Sequence, residues 1–318
     1  MNLSRIGISL LLLPTALVTS NAIAQREGPQ PTQAIVTVES KAPVSLTPAD
    51  LALKLNGKPA PVTAIQPLKP ANIQVAILID DGLRTSVARQ LPDLQKFIQG
   101  LPAGTEVFVG YMQNGHVAST LPFTSNLVAA SSGLRIPFGS AGISASPYFC
   151  LSDFAKSWPT ESASYGQRST GRKARFVLML TNGVDPYNGS VSPSNQNSPY
   201  VETAIGDAQR AGIIVSSIYY AEAGIRGEAA SFSGQSYLAQ VAEGTGGASY
   251  YQGTINPVSL TPYLQHFADD IAHSELVSFA APGGKDLLAL NVKSNAKGVK
   301  LRAPRAIRPG ATVVSGVR

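Results

Sequence analysis

The sequence predicts an α/β fold: a doubly wound, mostly parallel sheet with helices on both faces, to which the N- and C-terminal segments add a small β subdomain. Three observations carry this expectation. Residues 75–79, 107–112, 176–180 and 213–219 are near-continuous apolar runs, the composition of strands covered on both faces. Segments with helical patterning at 87–99, 147–158, 201–211, 235–243 and 262–272 lie among and after them. Strand and helix therefore alternate, and right-handed crossovers follow. The flanking segments instead alternate apolar and polar residues, as strands with one wet face do.

In chain order, residues 1–24 come first, with Arg5, an apolar run from Ile6 to Leu13 and the small-residue ending Ala22-Ile23-Ala24. These are the three parts of a secretory signal peptide, so export to the periplasm or beyond is expected. The run is shorter than the ~20 residues of a membrane span, and no transmembrane anchor is expected elsewhere. Residues 25–32, rich in Gln, Gly and Pro, predict a flexible start, followed by strands at 34–39, 51–55 and 62–68. Asn56-Gly57-Lys58 between the last two is a hairpin-type turn. This N-terminal unit, 25–72, is too small to bury a core alone. It is expected to pair with strands at 276–280, 287–292 and 299–302 of a C-terminal unit, 275–318. The α/β domain occupies 73–274. Within it, 116–123 begins too soon after Met112 for a crossover and should be an antiparallel neighbour of 107–112.

The 318-residue chain has one cysteine, Cys150, and three histidines. No internal disulfide is available, and none of the histidines has a spacing that pairs it with the thiol as a base. Cys150 therefore reads as a small buried hydrophobe. The formal net charge is +6 with only 14% charged residues, and the cations gather at Arg168, Arg172, Lys173 and Arg175 and along the C-terminal segment from Lys293 to Arg308. Such faces are solvated or meet an acidic partner. Nucleic acid is not expected, because no aromatics are interleaved with these charges.

In open α/β sheets, ligands bind beyond the carboxyl ends of the strands. The strand at 75–79 runs into Asp80-Asp81-Gly82-Leu83-Arg84, which makes Asp80, Asp81, Gly82 and Arg84 the first candidates. Arg84 is expected either to fork onto Asp80 or Asp81, since a guanidinium matches carboxylates and keeps its proton, or to point into solvent at the start of the following helix. Two loops, 139–146 and 187–199, should lie beside the site, with Tyr148, Phe149, Tyr187 and Tyr200 either anchoring a partner or packing beneath the loops. No Gly-x-Ser-x-Gly elbow, phosphate-binding loop or His-Glu-x-x-His helix is present.

Three features resemble the von Willebrand factor A-related domains of secreted bacterial proteins across nearly the whole mature sequence. They are the strand ending in Asp80, the strand Phe176-Val177-Leu178-Met179-Leu180 followed by Thr181-Asn182-Gly183, and the late segment from Leu238 to Gly247. The resemblance implies a doubly wound, Rossmann-like domain and a metal-ion-dependent adhesion site, with Asp-x-Ser-x-Ser after the first strand, a middle-loop Thr and an Asp in Thr-Asp-Gly. Here Gly82 and Arg84 stand at the serine positions, Asn182 replaces the later aspartate, and Ser144 or Ser146 stands in for the threonine. Asp185 is the replacement carboxylate. Losing two hydroxyls and one negative charge weakens a hard-cation site, so the expectation is no cofactor, with weak Mg²⁺ at most through Asp80, Ser144, Ser146, Asn182 and Asp185. The implied function is a non-enzymatic, exported interaction or adhesion module of the cell envelope. Its partner would be an envelope or extracellular protein, engaged through acidic groups. The alternatives are a residual cation-dependent adhesion domain and, of another class, a secreted hydrolase using Asp80, Asp81 and Asp185.

Overall fold

The computed structural model describes residues 28–140, 146–159, 172–185, 198–221, 229–251 and 253–313. The signal-type segment 1–24, Arg168, Ser144 and Tyr187 lie outside them. The chain opens with strands β1 (Gln30–Glu39), β2 (Leu51–Leu55), β3 (Lys58–Ala60) and β4 (Val62–Pro67), and then enters β5 (Ile73–Asp80). Helix α1 (Leu91–Gly100), strands β6 (Glu106–Gln113) and β7 (His116–Ala118), and helices α2 (Leu127–Ser131) and α3 (Pro147–Lys156) follow. Next come β8 (Ala174–Thr181), α4 (Pro199–Ala211), β9 (Ile213–Tyr219), α5 (Ala229–Thr245), β10 (Ser249–Tyr251) and α6 (Thr261–Ala272). The chain closes with β11 (Ser274–Ala281), β12 (Leu288–Ser294), β13 (Lys300–Arg302) and β14 (Ala306–Ile307).

The central sheet has the order β10-β9-β8-β5-β6-β7, parallel throughout except for the antiparallel edge strand β7. Its four inner strands β5, β6, β8 and β9 are buried on both faces, and alternate residues feed two cores. Val75, Ile77 and Ile79 of β5 face Leu94 and Ile98 of α1 and Leu264 and Phe267 of α6. Ala76 and Leu78 face Leu151 and Phe154 of α3, Val201 of α4 and Leu238 of α5. The expected doubly wound architecture is therefore present, with strand order reversing between β5 and β8. That reversal is the switch point at which such sheets hold ligands.

The terminal segments form two four-stranded antiparallel sheets, β13-β1-β11-β4 and β14-β12-β2-β3. Ala34, Val36, Val277 and Phe279 of the first meet Leu53, Leu55 and Leu290 of the second in a separate small core. The opposite face of the first sheet, through Ile35 and Leu276, joins the core of the central domain. Neither terminal unit buries its apolar face without the other.

Three local expectations need correction. First, β1 begins at Gln30, not 34, and pairs with β11 as far as Gln30↔Ala281. Pro31 is tolerated because β13 covers only Thr37–Glu39, so the Pro31 end of β1 is an edge where a missing N–H costs little. Second, the helix predicted over 87–99 divides into a 3₁₀ segment, Thr85–Gln90, and α1, which has Pro92 in its first turn. Proline suits the first turn but cannot donate to a carbonyl of a preceding turn, so the α-helix starts there. Third, the segment after β6 is the antiparallel neighbour expected, but β7 stops at Ala118 and the pairing returns only at the isolated Val107↔Thr124 bridge. Ser119 Oγ lies 2.6 Å from the Val109 carbonyl and 2.8 Å from that of Leu121, within reach of its one proton from either, and this side-chain bonding takes the place of the ladder. Among the described residues, no helix is long and apolar enough to cross a membrane.

Candidate functional site

Because β5 and β8 pair in parallel, their carboxyl ends deliver Asp80-Asp81 and Thr181-Asn182 to the same place. Asp80 is 1% exposed. Its Oδ1 accepts the Gly82 N–H at 2.8 Å, and its Oδ2 accepts the Thr181 hydroxyl at 2.7 Å. The Thr181 oxygen in turn accepts the Gly183 N–H at 3.1 Å, which fixes the turn after β8 to the end of β5. Gly183 has φ +66°, a conformation that favours glycine, and its carbonyl accepts the Tyr148 hydroxyl at 2.7 Å.

Asp81 is fully buried and holds the chain's own cation. Arg135, in the segment after α2, donates Nη1 to Oδ1 at 2.7 Å and Nη2 to Oδ2 at 2.9 Å, and the Phe138 N–H adds a third bond to Oδ1 at 3.0 Å. The guanidinium lies 3.8 Å from the ring centre of Tyr111 and 4.0 Å from that of Phe138. Its bonds to Asp81 outweigh the desolvation opposing them and raise its pKa further. Arg84 does not hold this place. Leu83 is buried toward the core, so the next residue turns outward, and Arg84 is exposed at the N-cap of the 3₁₀ segment. No pairing of Arg84 with Asp80 or Asp81 is therefore found among the described residues, and a different arginine, Arg135, holds Asp81.

Other candidates gather around Tyr148. Asp185 is buried and accepts the Ser198 hydroxyl at 2.7 Å, while Ser198 also caps α4 through the Val201 N–H. Asn182, 2% exposed, turns its Oδ1 back to the Val184 N–H at 3.1 Å. Ser146 is fully buried at the N-cap of α3, and its Oγ has no hydrogen-bond partner among the described residues. Burial, followed by the charges of Asp185 and Asp80, raises the Tyr148 pKa well above its ordinary value and keeps the phenol neutral. Burial and then Asp80 push the Cys150 thiol up to about 12, which removes it as a nucleophile. Tyr148 is thus a packed residue, whereas Phe149 is 37% exposed and rests 4.3 Å from Tyr200, centre to centre. Among the described residues, no three His, Cys, Asp or Glu side chains converge as a cation site.

Several apolar side chains are exposed near these groups. Phe138 is 71% exposed and Ile136 48% exposed, both on the segment that Arg135 anchors. Ile255 and Val258, after β10, are exposed at the same edge of the sheet. Sequence reading missed Arg135 and Tyr111 entirely and quoted Thr181 only as part of a motif. The Thr181 hydroxyl next to the turn was the available signal, and Arg135 had none.

No family model matches the sequence, and no curated protein matches it. Among solved structures, the chain is similar to a von Willebrand factor type A protein from Catenulispora acidiphila, at 11% identity and a TM-score of 0.41, over 91% of this chain and 77% of that one. It is also similar to the conserved hypothetical protein BatB from Bacteroides thetaiotaomicron, at 12% identity and a TM-score of 0.38, over 63% and 97% of the two chains. The pilus adhesin SpaC from Lactobacillus rhamnosus GG is similar over 80% of this chain and 48% of its own, at 9% identity and a TM-score of 0.43. The fold itself is read from the strand order, and these likenesses carry no argument about function.

Proposed function

We propose that the chain is a non-enzymatic, exported protein-interaction module of the cell envelope that recognises its partner at the carboxyl edge of the central sheet without a bound divalent cation. The observation carrying this reading is the fork of Arg135 on Asp81, with exposed Phe138 stacked on the guanidinium. Both oxygens of Asp81 are taken by donors of the chain, and Asp80 and Asp185 each hold a hydroxyl donor. A hard cation needs six or more oxygens, and these carboxylates are turned toward donors instead. What the edge offers a partner is an aromatic and aliphatic surface, Phe138 and Ile136, on the segment that Arg135 ties to Asp81. Hydrolysis by Asp80, Asp81 and Asp185 is not favoured, because each carboxylate is already engaged by a positioned donor of the chain.

Titration calorimetry with MgCl₂ or MnCl₂ tests the cation-free reading: no saturable heat is expected, and micromolar binding would overturn it. Affinity capture from envelope extract tests the surface. The captured partner should persist in EDTA and be lost from Phe138→Asp, and the opposite pattern would sink the proposal.

A further inference from the structure

Arg172 and Arg175 from one basic run of the sequence and Arg308 from the other lie at the opposite edge of the sheet, where β8 begins and α4 ends. Several of their cations are neutralised within the chain: Lys173 pairs with Glu106, Arg302 with Glu39 and Asp270, and Arg305 with Glu243. Arg172, Arg175 and Arg308 differ. None of the ion pairs among the described residues includes them. Arg172 and Arg175 are half-buried, and the Nε atom of each is buried without a hydrogen-bond partner.

Packing explains part of this arrangement. Arg175 lies 4.8 Å from the ring centre of Trp158 and donates to the Ala211 carbonyl at 3.4 Å, at the negative end of the α4 dipole. Arg172 covers Gly212 so closely that a Cβ there would lie 1.9 Å from its Nη2. The charge is left uncompensated nevertheless. Burial, with the charge of Arg308 added, pushes Arg172 down to about 10, and burial with the charge of Arg172 pushes Arg175 down to about 9. Both remain protonated at neutral pH, so two guanidiniums and the exposed Arg308 repel one another, and no carboxylate among the described residues pairs with any of them.

We propose that Arg172, Arg175 and Arg308 form an oxyanion site at the amino edge of the central sheet, suited to a phosphate group. A phosphate accepts several guanidinium donors at once and supplies the missing counter-charge. It enters from the Arg308 side, because the cavity on the inner side of Arg172 is only about 20 Å³, about the room one water needs. The site is independent of the carboxyl edge, so it stands or falls apart from the interaction surface there.

The test uses the full chain and inorganic phosphate at constant ionic strength. Phosphate should raise Tm saturably and bind in calorimetry. Arg308→Gln, an exposed change that leaves packing intact, should weaken binding about tenfold, the equivalent of one charge-assisted hydrogen bond. Lys297→Gln, exposed on the same C-terminal segment, should leave binding unchanged. Absence of binding, equal binding by Arg308→Gln, or equal loss in Lys297→Gln would overturn the site. Arg172→Gln provides a second reading of the same loss. Vesicles of phosphatidylglycerol in phosphatidylcholine then separate the sources. Co-sedimentation abolished by Arg308→Gln assigns a lipid headgroup, and phosphate binding without co-sedimentation assigns a soluble phosphate.

Discussion

Arg135 grips both carboxylate oxygens of Asp81 across 54 positions of sequence, and the aspartate end of that pair is fully buried. Removing the arginine leaves a buried carboxylate without its counter-charge, held only by the Phe138 N–H among these donors. Arg135→Ala should therefore lower stability by about 2–4 kcal/mol in urea denaturation, the lower end reflecting the partial exposure of the arginine. The double change Asp81→Asn with Arg135→Met should recover part of the loss. If the guanidinium holds the place of a cation, MgCl₂ at matched ionic strength should raise the Tm of Arg135→Ala more than that of the parent.

Thr181 does for Asp80 what Arg135 does for Asp81, with a hydroxyl instead of a charge. Thr181→Val keeps the shape but deprives a buried carboxylate of a donor, and the expected cost is about 1–3 kcal/mol. Thr181→Ser retains the donor and should cost clearly less. Equal losses in chemical denaturation would mean that the methyl packing, not the hydrogen bond, matters.

The turn after β8 fits against α5 only because two glycines face each other. A Cβ on Gly234 would lie 2.1 Å from the Asn182 carbonyl oxygen, and one on Gly183 would lie 2.5 Å from the Gly234 oxygen. In a helix, Gly→Ala ordinarily gains about 1 kcal/mol. At Gly234 the sign should reverse, and a higher melting temperature for Gly234→Ala by circular dichroism would contradict this packing.

The doubly wound core was legible because strands covered on both faces leave uninterrupted apolar runs, as in β5, β6, β8 and β9. Pairing between the termini followed from strands too few to bury a core. The start of β1 was hidden, since Gln30, Pro31 and Gln33 carry no apolar pattern and are held by β11, some 250 positions away by the register Gln30↔Ala281. At the site, Asp80 and Asp81 were placed by strand polarity alone. Their partner was not, because the choice between Arg84 and Arg135 is made by the fold: Leu83 takes the core-facing position, and the segment after α2 crosses above Asp81.

Cys150 is 2% exposed, and its thiol is pushed up to about 12 by burial and by Asp80. A group so rarely ionised at neutral pH should react with a disulfide reagent only when the chain opens. In native buffer the thiol should remain unmodified over hours, with full reaction in denaturant. Rapid stoichiometric labelling of the folded protein would place Cys150 outside the core between α3 and the sheet.

Asp93 of α1 caps α6 from across the interface between the two helices. Its Oδ2 accepts the Ser259 hydroxyl at 2.6 Å and the Leu260 and Thr261 N–H groups at 2.9 and 3.2 Å, while Leu260 at the N-cap has no capping side chain of its own. Desolvation opposes ionisation of Asp93, but the bonds from Ser259, Leu260 and Thr261 together prevail and hold its pKa below the usual carboxylate range. A folded-state pKa below the unfolded one means that the stabilisation is complete above the unfolded value and is lost as pH falls through the folded one. Asp93→Ala should accordingly cost about 1 kcal/mol at neutral pH. The gap to the parent should narrow below about pH 4, where the unfolded carboxylate takes up its proton first. Asp93→Asn keeps an acceptor oxygen without the charge, so its stability should fall between the two at neutral pH and approach the parent's in acid. A gap that stays constant from neutral pH to pH 3 would show that α6 is capped by geometry alone, with the charge on Asp93 contributing nothing.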